Sequence, residues 1–185
     1  MKSRALIFVV IVGIGAVAGG WIYQSQSRFE QDRAELVIPD NIDYFLTDLK
    51  YRVMTEAGTL DYEFQSKRLE HRPLNDVSHI EVPSLQIYRD AGQWQIDSQQ
   101  GELQHQHNLL RLQDQVVMLR LGAHPMQIYT ESIRFEPDRD TITSESSILM
   151  QSVNARIEAE QGIFDLANNV FSLKKARTIY YHGNS

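Results

Sequence analysis

WQIDSQQGEL, residues 94–103, decides how this chain is read, because its skeleton returns as FQSKRL from Phe64, IYTESIRF from Ile128 and IEAEQGIF from Ile157. In each copy an apolar residue is followed two places on by Ser, Thr or Ala, and three places later by Gly or an aliphatic residue. The apolar anchors, 64, 96, 128 and 157, lie 32, 32 and 29 residues apart. Spacing that regular marks a repeated supersecondary unit, each copy burying its apolar face against its neighbours.

Around these anchors, from about residue 42 onward, the pattern is β. Apolar and polar residues alternate in LDYEF (60–64), SLQIY (84–88), WQID (94–97), MQIYT (126–130) and ARIEA (155–159), with β-branched and aromatic types frequent. Turn-forming residues punctuate the run at 75–76, 89–92, 105–108, 137–140 and 168–169. This predicts an all-β domain of many short antiparallel strands over 42–185; residues 42–52 read either as a helical turn or as a first strand. Such strands can build a sandwich, a propeller, a β-helix or a jelly roll. Four units are too few for a propeller and suit two facing sheets of hairpins.

The inner faces then follow from strand parity. Leu60, Tyr62, Phe64, Leu85, Ile87, Trp94, Ile96, Leu119, Leu121, Met126, Ile128, Ile157, Phe164, Phe171 and Leu173 are inward candidates, while Asp97, Gln127, Arg156 and Glu158 fall on the other side. Ser66, Ser98, Thr130 and Ala159 keep each repeat thin at one level. Two interiors are compatible with this: a core filled by its own side chains, or a cleft between the sheets lined by Phe64, Trp94, Ile96, Met126, Ile128, Ile157, Phe164 and Phe171 that holds an apolar ligand.

The N-terminus speaks about location. Lys2 and Arg4 form a short tip (1–4) before ALIFVVIVGIGAVAGGWIY, residues 5–23, which carries no charge. As a helix that segment is roughly 28 Å long, close to a bilayer's hydrocarbon core. Positive charge ahead of it places the tip in the cytoplasm and the rest outside. A cleaved signal peptide ending at Ala16-Val17-Ala18 is the competing reading, but the apolar run continues to Trp21-Ile22-Tyr23, an interfacial aromatic anchor. Gly15 and Gly19 form a GxxxG spacing through which a second membrane helix can approach closely. Residues 24–41 are a polar linker. With Lys2 and Arg4 set aside, 16 basic residues face 24 acidic ones, a balance near −8 that disfavours nucleic acid. There is no cysteine, hence no disulfide or thiol chemistry.

The order of motifs resembles the LptC family, the bitopic component of the lipopolysaccharide transport bridge. The residues that carry the resemblance are Gly58-x-Leu60-x-Tyr62-x-Phe64, Pro83-x-Leu85, Gly92-x-Trp94-x-Ile96-x-Ser98-x-x-Gly101, Leu112-x-x-x-Val116 and Ile157-x-Ala159-x-x-Gly162. Two positions depart from the family pattern: Asp114, where Gly is usual, and Ile133, where other copies favour Gly. The resemblance implies a twisted, slightly open β-jelly roll whose interior receives lipopolysaccharide acyl chains. It also implies edge-to-edge stacking from the LptB, LptF and LptG transporter complex in the inner membrane, through this protein, to periplasmic LptA. Strand addition of that kind uses the unpaired backbone groups of terminal strands. Gly58 before the first clear strand, and Ile179 and Tyr181 in the last, are the interface candidates.

Chemistry finds little support. His105 and His107 are two apart and start a possible zinc pattern, but no third ligand accompanies them at a convincing spacing. Glu136, Asp138 and Asp140 crowd a turn without an EF-hand pattern. No nucleophile elbow, phosphate loop or cofactor motif is present. The expectation is a non-enzymatic protein without cofactor or metal, either a lipid carrier or a lipid-free anchored adaptor.

Overall fold

The computed structural model describes residues 41–89, 92–122 and 124–181. The predicted tip and anchor, with Gly15 and Gly19, lie outside the described residues, as does nearly all of the linker. Among the described residues no helix is long and apolar enough to cross a membrane.

The alternation resolves into fourteen strands: β1 Tyr44–Met54, β2 Leu60–Arg72, β3 Val77–Glu81, β4 Ser84–Arg89, β5 Gly92–Asp97, β6 Gln100–Gln104, β7 Leu109–Leu121, β8 Met126–Glu136, β9 Thr141–Ser144, β10 Ile148–Ser152, β11 Ala155–Ala159, β12 Gln161–Asp165, β13 Val170–Lys174 and β14 Arg177–Tyr180. Residues 42–52 therefore contribute a strand, not a helical turn. All pairings are antiparallel within one sheet, an all-β architecture consistent with a jelly roll.

Separate facing hairpins are not what forms. The long strands each serve two sets of partners: β2 pairs β4 through Tyr62–Gln65 and β3 through Arg68–Arg72, β7 pairs β6 and then β5, and β8 pairs β10 and then β9. One sheet is thus folded along a crease into two leaves. Leaf one holds the first half of β2, then β4, β5, the second half of β7, the first half of β8, β10, β11 and β14. Leaf two holds the remaining halves with β3, β6, β9, β12 and β13. β1 runs beside β2 across both leaves.

This geometry explains the repeat. Phe64, Leu85, Ile96, Met118, Ile128, Met150 and Ile157 are successive cross-strand partners, so the four anchors stand in one lateral row on the inner face of leaf one. Two residues on, the buried Ser66, Ser98, Thr130 and Ala159 mark where the chain passes from leaf one to leaf two. Their side chains point into the concave side of the crease, where the leaves meet and a large residue has no room. Three further on, Leu69, Gly101 and Ile133 share a row of leaf two with Ile80 and Leu112. A Cβ on Gly162 would come within 2.6 Å of the Ile148 Cδ1 atom, and one on Gly101 within 3.2 Å of Leu112 and Pro83, so facing side chains fill the space that Leu69 and Ile133 fill themselves.

Four of the return passages, from leaf two to leaf one, use another device. Asp48 (φ 50°), Val82 (φ 49°), Asp114 (φ 63°) with Gln115 (φ 58°), and Lys175 (φ 53°) are left-handed, which turns an otherwise extended chain sharply. At Asp114 the family departure falls on a β-bulge between Gln113 and Val116, a position that suits Gly; Asp is among the non-glycine residues that tolerate it. The passages also bond to one another: the Val82 N–H donates to the Gln99 carbonyl at 2.9 Å, and the Gln99 N–H to the Asp114 carbonyl at 3.0 Å.

Candidate functional site

All eight predicted groove residues meet between the leaves. Phe64, Ile96, Ile128 and Ile157 form the anchor row; Trp94 and Met126 stand in the next row of leaf one, toward the mouth opposite the crease. Phe164 and Phe171 pair across β12 and β13 on leaf two. The leaves touch where Trp94 meets Phe171 edge to face, ring centres 5.9 Å apart, with Phe164 5.5 Å from Phe171. Two inward expectations are corrected: Leu119 and Leu121 face outward, Leu121 being 42% exposed, while Val116 and Met118 are buried inside. The inward parity of β7 ends on Arg120, at the mouth, so apolarity alone chose the wrong side of the strand.

Exposure divides the interior. Ile96 and Ile128 are fully buried, whereas Met126, Ile157 and Phe171 are only partly so. Those three belong to the C-terminal half, where a pocket of about 380 Å³ opens between Arg120, Met126, Asn154 and Phe171. Nearer the N-terminal end the mouth is clasped. Arg89, at the end of β4, reaches from leaf one to Asp140 in the leaf-two turn, its Nε 2.7 Å from the carboxylate, and also bonds Asp61. The paired Asp140 carboxylate, above all, pushes the Arg89 guanidinium further up from its already high value. The acidic residues of this turn have partners of their own: Asp140 serves the clasp, Asp138 accepts a hydrogen bond from Asn108 at 2.9 Å, and Glu136 pairs with Arg139 at 3.1 Å.

The edges differ from the sequence reading in one respect each. At the N-terminal end the outermost strand is β1, which precedes Gly58, so the edge residues there are Tyr44, Leu46, Tyr51 and Met54, all exposed. Gly58 sits in the β1–β2 turn with φ 80° and nothing within 4 Å of a Cβ, so backbone conformation, not close approach, calls for glycine. At the C-terminal end β14 pairs only β11 among the described residues. Its ladder parity is set by the Tyr181 N–H, which donates to the Asn154 carbonyl at 2.9 Å. Because bonded and non-bonded pairs alternate, Ile179, opposite Arg156, also faces β11. The free-edge backbone groups belong to Thr178 and Tyr180.

At the inner edge of β1, Glu63 on β2 is held by Arg52 and Lys50, the latter at 2.9 Å. The hydrogen bond from Arg52, then that from Lys50, pulls its carboxyl down to about 2.

Comparison with known proteins places this architecture. No curated protein sequence matches the chain. A solved structure with a similar fold is LptH from Pseudomonas aeruginosa, the LptA-homologous periplasmic component of its lipopolysaccharide transport device, at 8% identity and a TM-score of 0.52 over 64% of this chain and 93% of that one. The family model for LptC, lipopolysaccharide-assembly, LptC-related, matches residues 7–182. The chain therefore belongs to the LptC-related lipopolysaccharide-assembly family.

Proposed function

We propose that the protein carries lipopolysaccharide from the inner membrane toward the outer one, holding acyl chains between the leaves. The observation that carries this reading is the anchor row Phe64, Ile96, Ile128 and Ile157 with the Phe164–Phe171 pair on the other leaf, an apolar interior closed by the Arg89 clasp toward one end and opening at Met126 and Phe171 toward the other. Each CH₂ that leaves water there contributes about 0.8 kcal/mol. Family membership ties the chain to lipopolysaccharide assembly; the likeness to LptH supports the fold.

In this reading residues 5–23 anchor the chain in the inner membrane, with the β domain in the periplasm. β1 receives the β domain of the LptB, LptF and LptG transporter complex, and β14, by its Thr178 and Tyr180 side, receives LptA. Gly15 and Gly19 pack against a transporter helix. Energy comes from the transporter. Replacing both glycines by leucine should lower co-purification with the transporter, and unchanged recovery rejects that contact.

A second reading, a lipid-free adaptor, is favoured by the complete burial of Ile96 and Ile128, which fill the core themselves. Photo-crosslinking side chains at Met126 and Ile157, introduced in cells, separate the two. Lipopolysaccharide adducts there, and none at Gln127 or Arg156 on the outer face, support the carrier. Labelling of both faces alike, or of neither, supports the adaptor.

A further inference from the structure

The row of leaf two that lines the mouth is apolar through Leu103, Leu110, Phe135, Ile142, Phe164 and Phe171, but it begins with His71 and Ser78. Both are buried, at 8% and 0% exposure. A histidine facing inward at the head of an apolar row needs partners, and it has an unusual set. Tyr44 stacks on its ring at 4.8 Å, and His105 meets it edge-on at 5.0 Å. The Ser78 hydroxyl lies 3.2 Å from the His71 Nδ1 atom and 2.8 Å from the His105 Nε2 atom.

On the other side of the ring, the His71 Nε2 atom faces Asp76 at 3.8 Å and Asp43 at 4.0 Å. These separations are too long for hydrogen bonds. They exceed by about half an ångström the roughly 3.4 Å that two bonds of about 2.0–2.2 Å span at a tetrahedral ion, so the side chains would close slightly on a bound metal. Ligand atoms of His71, Asp76 and His105 all lie within 4.8 Å of one another. The backbone joins the same groups, since the His105 N–H donates to the Asp76 carbonyl at 3.2 Å and the Asp43 N–H to the His71 carbonyl at 3.3 Å.

We infer that His71, Asp76 and His105 form a site for a divalent first-row transition metal of the zinc class. Imidazole and carboxylate together suit such ions. A bound cation would neutralise the Asp76 carboxylate, which otherwise faces the His71 nitrogen without a hydrogen bond, and it would tie the β2–β3 turn to the His105–His107 turn. The pair that sequence spacing offered, His105 with His107, is not the one the fold assembles. His71 and Asp76 are brought in by the β2–β3 hairpin, 27 residues being the separation between Ser78 and His105.

The test is cobalt titration of the tag-free full-length chain in detergent, followed by the visible absorption of bound Co²⁺ and its displacement by Zn²⁺. One equivalent is expected, with affinity reduced at least about tenfold, roughly 1.4 kcal/mol, in Asp76→Asn and in His105→Gln. His107→Ala is the control and should bind as the parent does. Asp76 and His105 are solvent-accessible, so these variants keep the fold that His71→Ala endangers, and circular dichroism checks it. Absence of stoichiometric binding, or equal losses in His107→Ala and His105→Gln, overturns the assignment.

Discussion

The two ends of the folded sheet are built differently. Toward the N-terminus the edge strand β1 has eleven residues, is clamped to β2 by the Lys50 and Arg52 ion pairs on Glu63, and lies near the clasped part of the mouth. Toward the C-terminus the edge strand β14 has four residues, all exposed, and the mouth beside it is open. Long exposed edges invite aggregation unless something covers or charges them. The difference teaches that the N-terminal edge is long and held to its neighbour by ion pairs, while the C-terminal edge strand is short and exposed among the described residues.

The largest expected effect contrasts two positions on β8. Ile128→Arg places an unpaired charge at a fully buried site and should cost at least about 4 kcal/mol. Met126→Arg, two residues nearer the open mouth, can extend its guanidinium to water and should cost about 1 kcal/mol or less. Urea denaturation of both measures the contrast; equal losses would mean that the C-terminal mouth is as closed as the depth. Folded Met126→Arg should still fail to capture lipid, whereas a loss of capture in Ile128→Arg would not be separable from its loss of stability.

The clasp comes next. Arg89→Ala leaves Asp61 and Asp140 facing each other without their cation and should cost about 2 kcal/mol, the range of charge-assisted hydrogen bonds. Hydrogen exchange should quicken in β4 and in the turn at Asp140, with little change at β11 and β14. Uniform acceleration would show that Arg89 supports global stability and not one side of the mouth.

At the C-terminal edge two neighbouring prolines should act oppositely. Ile179→Pro removes a donor that faces β11 and should lower stability by about 1 kcal/mol. Thr178→Pro removes a donor from the free edge, so stability should hold within about 0.5 kcal/mol while affinity for an LptA-like partner falls about tenfold. Measured by surface binding and thermal melting, identical behaviour of the pair would contradict the ladder parity.

How much of this was legible in the sequence depends on which passage of the chain is considered. The outbound passages were visible because the inside of a crease demands one property, smallness, and Ser66, Ser98, Thr130 and Ala159 all supply it at a fixed distance from an anchor. Four of the return passages demand a backbone angle, which Asp48, Val82, Asp114 and Lys175 reach with different side chains, so no residue pattern recurs. The residues that meet between the leaves followed from parity, and Leu119 and Leu121 were misplaced because the mouth allows Arg120 on the inner face. The Arg89 clasp escaped notice since its partners are 28 and 51 residues away, a distance that only the folding of the sheet closes.

The smallest effect concerns acid at the N-terminal edge. Glu63 titrates near 2 in the folded protein against an ordinary value of 4.5, because Arg52 and Lys50 bond its charged form. A depressed folded value means that the stabilisation is complete above about pH 4.5 and is lost as pH falls toward about 2. Both cations are half exposed to water, which weakens the pair. The consequence should therefore be local: on acidification through that window, amide exchange in β1 should rise relative to the pH-corrected rate, while β14, which lacks such a clamp, should follow the intrinsic rate alone. Glu63→Gln should bring the loosened behaviour of β1 to neutral pH. If β1 in that variant stays as protected as in the parent, packing of Leu49 and Val53 on β2, not the ion pairs, holds the N-terminal edge.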